Sequence, residues 1–119
     1  MSFPVDTSSE SRFTLAVDDR TPEVVVMRLT GEIDRDAVTD LQTTFAEILD
    51  RHRPERVALD MSRVTFLDSA GLRTLLTCRR MAATANSRVE VALAHDIVRQ
   101  VLTITGLLDV LNVAPADGL

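Results

Sequence analysis

One short segment, from Asp60 to Leu72, holds most of the residues that could take part in chemistry. It reads DMSRVTFLDSAGL, a strand pattern followed by a loop and the start of a helix. Ser69 stands at that predicted helix start, where unpaired N–H groups and the helix dipole favour negative charge. A phosphate on the Ser69 hydroxyl would suit the helix, whereas the neighbouring Asp68 opposes added charge.

The position of Ser69 also allows a purely structural role. Serine is a frequent N-cap, and local sequence favours that role, although a cap can also be a phosphorylation site. A hydrolase nucleophile is not indicated, because Ser69 follows Leu67 and Asp68 and the G-x-S-x-G elbow is absent. Gly71 leaves the first helical turn without a side chain, so we expect another surface to approach closely there.

The basic residues exclude several phosphate-handling functions. The chain has no lysine, and its 13 basic residues are all arginines. A Walker A loop, a Schiff-base enzyme and a protein-kinase ATP site are therefore excluded, since each needs an ammonium group. A receiver-like phosphoacceptor at Asp60, near a predicted strand end, is disfavoured for the same reason.

Metal and cofactor sites are not predicted. The histidines His52 and His95 and the single cysteine, Cys78, are too few for a tetrahedral zinc site. Asp34 and Asp36 are predicted to be helix caps, and the spacing of the aspartates does not match a calcium-binding loop. We expect both histidines to be solvated or capping, and Cys78 to be a small core residue.

The composition limits the classes of protein to which the chain can belong. The 119 residues suit a single domain, with 45% hydrophobic and 26% charged residues. A net charge of −5 and the absence of Trp and Tyr argue against nucleic-acid binding. Neither a signal peptide nor a membrane-spanning apolar run is visible, and one cysteine gives no internal disulfide. We therefore expect a soluble cytoplasmic protein.

Apolar residues recur with alternating strand and helix periods along the chain. Strands are predicted at 13–17, 24–29, 57–61 and 89–93. Helices are predicted at 37–52, from 68–69 to about 83, and at 96–105. This order predicts an α/β domain with a mixed sheet of four or five strands, in which an antiparallel hairpin precedes parallel βαβ units with amphipathic helices packed on the sheet. We expect the domain at 13–113, after a flexible arm at 1–12 and before a tail at 114–119.

Turn and cap residues set the predicted boundaries. The nearly unbroken apolar run at 24–29 predicts a strand covered on both faces. Caps are expected at Asp34 or Asp36 and at Asp96, with helix ends at Pro54 and Gly106. The segment 107–113 is predicted to be a last strand or a turn. Three further segments are predicted to be turns, breaks or loops: Asp18–Pro22, Gly31–Asp34 and Ser62–Leu67.

Two segments together resemble the signature of STAS domains of the anti-sigma factor antagonist family. Leu29 to Asp34 reads LTGEID and is similar to the family's strand end, L-x-G-E-[IL]-D. The segment from Asp60 to Leu72 resembles the family's strand-loop-helix signature, with its D-S-x-G-L core. The likeness runs from about Phe13 to Val113, which is nearly the whole chain.

The resemblance implies a regulatory role without enzyme activity. Ser69 would be phosphorylated by an anti-sigma factor that is also a serine kinase, and a serine phosphatase would reset it. The unphosphorylated protein would bind the kinase and free a sigma factor. The family's final helix is expected to be shortened, because the sequence stops soon after Pro115. The resemblance places Asp34 and the turn formed by Asp68, Ser69, Ala70, Gly71 and Leu72 on the partner-binding face. Thr65 and Arg73 are further candidate partner-binding residues.

Two other classes of function stay open at this point. The chain could be a STAS subunit of a membrane transport complex, in which Ser69 is only a cap, or a small enzyme that uses its acidic residues. A neighbouring gene for a kinase-like anti-sigma factor would favour the antagonist, and one for a permease would favour the transport subunit. The sequence leaves the choice between a monomer and a weak dimer open.

Overall fold

The computed structural model describes residues 12–115 and has the predicted element order. The strands are β1 (Phe13–Thr21), β2 (Val24–Ile33), β3 (Arg56–Leu67) and β4 (Arg88–Ala94). The helices are α1 (Val38–His52), α2 (Ser69–Thr84) and α3 (Asp96–Ile104), with a 3₁₀ helix at Arg35–Ala37 before α1. The predicted arm lies outside the described residues except for Arg12, as does the tail after Pro115, and the domain limits stay a prediction.

The strands form one mixed sheet in the order β1-β2-β3-β4, which confirms the predicted α/β fold class. β1 is antiparallel to β2, and β2, β3 and β4 are parallel. The turn predicted at Asp18–Pro22 is wrong, because β1 continues to Thr21 and the chain reverses at Pro22–Glu23. A bulge after Asp18 lets these polar residues stay in the strand, where the Asp18 carboxylate accepts hydrogen bonds from both the backbone N–H and the guanidinium of Arg20.

Alternate residues of β2 form the centre of the core. Val25, Met27 and Leu29 are almost completely buried, whereas Val24 and Val26 are half-buried and the next residue on that side is an exposed arginine. The prediction that this strand is covered on both faces is therefore wrong. Valine suits a half-buried pleated surface as well as a buried one, so an unbroken apolar run did not require a second covered face.

β2 and β3 are both longer than predicted. The break expected at Gly31–Asp34 and the loop expected at Ser62–Leu67 are wrong, because the two strands pair as far as Ile33 and Leu67. Register shifts within this paired region place two exposed residues between buried Val64 and buried Leu67. These bulges interrupt the two-residue alternation by which strands are recognised in a sequence.

The helix boundaries follow the predicted stop residues more closely than the predicted caps. α1 ends at His52, followed by Arg53 in the left-handed region and then Pro54, and Gly106 with φ +74° follows α3. These stops confirm the predictions. The cap of α3 is His95, whose Nδ1 accepts a hydrogen bond from the Ile97 N–H at 3.1 Å. The predicted cap, Asp96, is the first helical residue.

The segment after α3 covers the free edge of β4. It forms turns, as one of the two predicted alternatives, and Val113 makes a single parallel bridge to Val91. The Asn112 side-chain amide donates to the Val89 carbonyl at 2.9 Å. Leu111 is fully buried. None of the helices within residues 12–115 has both the length and the apolar character needed to cross a membrane.

Candidate functional site

The candidate site lies where the parallel strands β2 and β3 end side by side. Ile33 and Leu67 are paired at these ends, and Asp34 and Asp68 are the residues that follow them. Both aspartates have extended backbone conformations and both begin a helix. The carboxylate of Asp34 accepts a hydrogen bond from the N–H of Asp36, and that of Asp68 accepts one from the N–H of Gly71, each at 2.9 Å. Two similar caps therefore flank this edge of the sheet.

Asp68 takes the capping role that local sequence favoured for Ser69. Ser69 is the first residue of α2, and its side chain is exposed. The N-cap prediction for Ser69 is wrong, because the preceding carboxylate already reaches the N–H of the third helical residue. Among residues 12–115, the Ser69 hydroxyl has no hydrogen-bond partner. It is therefore presented to solvent at the start of a helix.

Gly71 sets how closely α2 approaches β2. This glycine is buried, and a Cβ built on it would lie 2.4 Å from the carbonyl oxygen of Ile33 and 2.7 Å from Cδ1 of Leu67. A surface does approach this turn closely, as expected, but it belongs to the chain's own strand β2. The small size of Gly71 therefore sets where the start of α2 lies against β2.

A shallow depression of about 330 Å³ lies beside Ser69, between the two capped turns. Three carboxylates and one guanidinium surround it, so its charge is negative. Within the described part of the chain, no group of acidic, histidine or cysteine side chains is arranged to hold a metal ion. The depression is lined by Asp34, Arg35, Asp36, Asp68 and Ala70.

The other predicted site residues differ in how deeply they are buried. Thr65 and Arg73 are exposed, Thr65 near the end of β3 and Arg73 four residues after Ser69 on α2. Ala70 and Leu72 are half-buried, and Leu72 packs against the core. All of the predicted partner-binding residues therefore belong to the ends of β2 and β3 and to the start of α2.

Two residues of this surface were not singled out from the sequence. Arg35 lines the depression, and the side chain of Phe66 is 46% exposed next to Thr65 in β3. A charged residue directly after Asp34 was the available signal for Arg35. No signal was available for Phe66, because an aromatic residue in an apolar segment is normally assigned to the core.

Asp60 lies apart from this site, inside β3. Its carboxylate accepts hydrogen bonds from the Ser62 N–H at 3.0 Å and the Ser62 hydroxyl at 2.6 Å. It also forms an ion pair with Arg28 at 3.7 Å. Asp60 is therefore part of a local cluster within the sheet and is not brought to Ser69.

The family of the chain follows from a match over most of its length. A family model described as "Mlab, STAS domain" matches residues 16–112. The chain belongs to the STAS domain family. This STAS chain is also similar to an anti-sigma F factor antagonist of Paenibacillus polymyxa, with 23% identity over 90 residues that cover 76% of the chain and 77% of that protein. The family resemblance of the two sequence segments is thereby confirmed.

Solved structures of antagonists share the STAS fold. An anti-sigma factor antagonist from Mycobacterium paratuberculosis superposes with a TM-score of 0.75 at 25% identity, over 87% of this chain and 86% of that one. The antagonist SpoIIAA in its unphosphorylated form gives a TM-score of 0.72 at 24% identity, over 87% and 90%. The phosphorylated form of Bacillus SpoIIAA gives 0.66 at 23% identity, over 87% and 94%.

Proposed function

We propose that this STAS domain is an anti-sigma factor antagonist controlled by phosphorylation of Ser69. In its unphosphorylated form it binds an anti-sigma factor serine kinase in the cytoplasm, and the sigma factor is released. Phosphorylation of Ser69 weakens that complex, and a serine phosphatase reverses the modification. The observation that carries the proposal is the exposed Ser69 hydroxyl, which is left without a capping role by Asp68.

The proposed chemistry makes this chain a substrate and a ligand, not an enzyme. The kinase brings ATP, the γ-phosphoryl group is transferred to the Ser69 oxygen, ADP leaves, and the hydroxyl proton passes to a base of the kinase. A serine that capped α2 would have to break its hydrogen bond before it could react. Because Asp68 holds the cap, Ser69 can turn toward the kinase while α2 keeps its first turn.

The added phosphate would act as a charge switch. Phosphoserine carries about −1.5 to −2 charges at neutral pH. Beside Ser69 this charge would join the carboxylates of Asp34, Asp36 and Asp68 around the depression. Burying it in an interface costs desolvation and repulsion. A loss of ~3 kcal/mol in binding free energy would weaken the complex more than a hundredfold.

The proposed partner surface consists of Ser69 and the predicted residues at the ends of β2 and β3 and at the start of α2. Exposed Thr65 and Arg73 can contact the partner directly. The rest of the surface is formed by half-buried residues, which are Asp34, Asp68, Ala70 and Leu72. Gly71 takes part indirectly, by seating α2 against β2. Relatives named as antagonists share this fold, which supports the assignment of the surface to an anti-sigma factor.

The test combines phosphorylation with binding. The protein is incubated with candidate kinases and ATP, and the modified residue is mapped by mass spectrometry. We expect a single phosphate on Ser69, tight binding of the kinase by Ser69→Ala, and binding at least a hundredfold weaker for Ser69→Glu. The control is Ser62→Ala, which removes an exposed serine whose hydroxyl is bonded to Asp60 away from the site, and it should leave phosphorylation unchanged. Wild-type affinity of Ser69→Glu, or a phosphate at another residue, would contradict the proposal.

A second candidate is a STAS module of another complex, such as a membrane transporter, without phosphorylation of Ser69. It is favoured by the matched family model, whose description, Mlab, is not that of an antagonist. In that case Ser69→Ala and Ser69→Glu would bind the same partner with equal affinity. No kinase would then be needed to explain the exposed hydroxyl.

A further inference from the structure

We propose that Arg73 is the intramolecular counter-ion of phosphorylated Ser69. The inference rests on the proposed phosphorylation and adds how the chain itself would hold the phosphate. In the phosphorylated form, the guanidinium of Arg73 binds the phosphate oxygens across one turn of α2. The Ser69 phosphate is then paired with a charge of its own helix.

The spacing of the two residues on α2 places them one above the other. Ser69 is the first helical residue and Arg73 stands four residues later, and both are exposed. The buried face of α2 is formed by other residues, among them Leu75 and Cys78. Side chains four residues apart have Cβ atoms about 5–6 Å apart, and an acidic group on the N-terminal side is the favourable orientation. The long side chain of Arg73 can therefore reach the phosphate without a backbone change.

The guanidinium of Arg73 is available for this pairing. Within residues 12–115, the arginines in ion pairs are Arg12, Arg20, Arg28 and Arg56, and Arg73 is not among them. In the described part of the chain, the one hydrogen bond of Arg73 outside the helical ladder uses its carbonyl, which accepts from the Thr77 hydroxyl at 3.0 Å. A phosphate on Ser69 would therefore gain a counter-ion without breaking an existing pair.

The surroundings of Ser69 explain why the phosphate needs this arginine. The Asp68 carboxylate is directed to the N–H of Gly71, but its negative charge stays beside Ser69. Arg35 is the other cation nearby, and it belongs to the 3₁₀ helix across the depression. Of these two cations, only Arg73 lies on the same helix as Ser69, one turn away. Among the described residues, the charged groups of the adjoining depression are Asp34, Arg35, Asp36 and Asp68, and Arg73 is the cation one turn from Ser69 on its own helix.

The pairing would give phosphorylation two effects on the partner surface. It adds negative charge at Ser69, and it withdraws the guanidinium of Arg73, which in the unphosphorylated form is free to contact the kinase. Arginine suits both tasks, because its planar guanidinium binds phosphate and carboxylate groups through two hydrogen bonds. Arg73 would therefore change partner when Ser69 is modified.

The experiment uses the full chain with phosphoserine incorporated at position 69 during translation, so that no kinase is needed. The second pKa of the phosphate, ordinarily about 6, is measured by ³¹P NMR. We expect Arg73→Gln to raise this pKa by about 0.2–0.4 units, from the usual strength of such helix pairs. Arg73→Lys should recover most of the difference, and 1 M NaCl should reduce it.

The matched control is Arg80→Gln, which removes the same charge from an exposed position of α2 about 16 Å from Ser69 along the helix axis. Arg80→Gln should leave the second pKa of the phosphate unchanged. The inference would be overturned if Arg73→Gln and Arg80→Gln gave the same second pKa of the phosphate, or if Arg35→Gln raised that pKa instead of Arg73→Gln. If the shift depends on Arg73 but no kinase modifies Ser69, the counter-ion assignment stands and the proposed function fails.

Discussion

Replacement of Gly71 by alanine tests whether the first turn of α2 is seated against the end of β2. The new Cβ would lie 2.4 Å from the Ile33 carbonyl oxygen, 2.7 Å from Leu67 Cδ1 and 3.0 Å from Ile33 Cγ2. The Leu67 side chain can rotate, but the Ile33 carbonyl is held, because Ile33 pairs with Leu67 in the sheet and accepts from the Asp68 N–H. The helix start must therefore move away from the strand.

The expected loss of stability follows from two opposing effects. Overpacking a well-packed site costs about 1–3 kcal/mol, and contact with a fixed backbone atom points to the upper end of that range. The better helix propensity of alanine returns about 1 kcal/mol. The free energy of unfolding of Gly71→Ala should thus fall by about 1–2 kcal/mol. For a domain of this size, the melting temperature should fall by about 4–8 °C.

Far-UV circular dichroism is the suitable assay, because the chain lacks Trp and Tyr for fluorescence. The control is Ala83→Gly, an exposed position in the same helix, where only helix propensity changes. This variant should lose up to about 1 kcal/mol. If propensity alone governed position 71, Gly71→Ala would be more stable than the wild type. An unchanged or raised melting temperature would therefore refute the close seating of α2.

Three further predictions concern other described groups. Asp68→Ala removes the cap of α2 and should lower the free energy of unfolding by about 1 kcal/mol in denaturant titrations, whereas Asp68→Asn, which keeps an acceptor oxygen, should lose less. Burial raises the pKa of the Cys78 thiol to about 12, so a thiol reagent at pH 8 should modify the protein only after denaturation, and rapid modification of the native protein would contradict this. Hydrogen bonds from Arg20 lower the pKa of Asp18 from 3.8 to about 2, so this carboxylate favours the folded state above pH 3.8 and loses that effect as the pH falls to 2. NMR titration of Arg20→Gln should show the Asp18 pKa raised toward 3.8, because the variant loses the side-chain hydrogen bonds and charge of residue 20 but keeps its backbone N–H. Denaturant titrations of this variant should show a smaller loss of stability over that range.

The order of the elements could be read from the sequence because it depends on local periodicity. Buried Val25, Met27 and Leu29 alternate in β2, and buried Leu41, Phe45 and Ile48 recur at helical spacing in α1. Such patterns report which side of each element is apolar. The mixed sheet follows from the alternation of strands and helices, since parallel strands need crossover connections.

The ends of β2 and β3 could not be read in this way. Each end contains a bulge or a glycine with positive φ, such as Gly31 at +100°, and looks irregular when taken alone. The two ends are strands because they pair with each other, Gly31 with Val64 and Ile33 with Leu67. Pairing between distant segments is a property of the folded chain.

For the candidate site, the amino-acid sequence establishes which residues are present: the LTGEID and DSAGL segments, the serine after Asp68, and the arginine one helical turn later. Which of Asp68 and Ser69 caps α2, and why position 71 requires a small residue, depend on the folded chain. Serine and aspartate both cap helices well, so local sequence does not distinguish them. Which residue caps α2 depends on how the end of β3 lies beside Ile33 of β2. That contact sets the backbone conformation from which the Asp68 carboxylate reaches the N–H of Gly71, and Ser69 is left exposed.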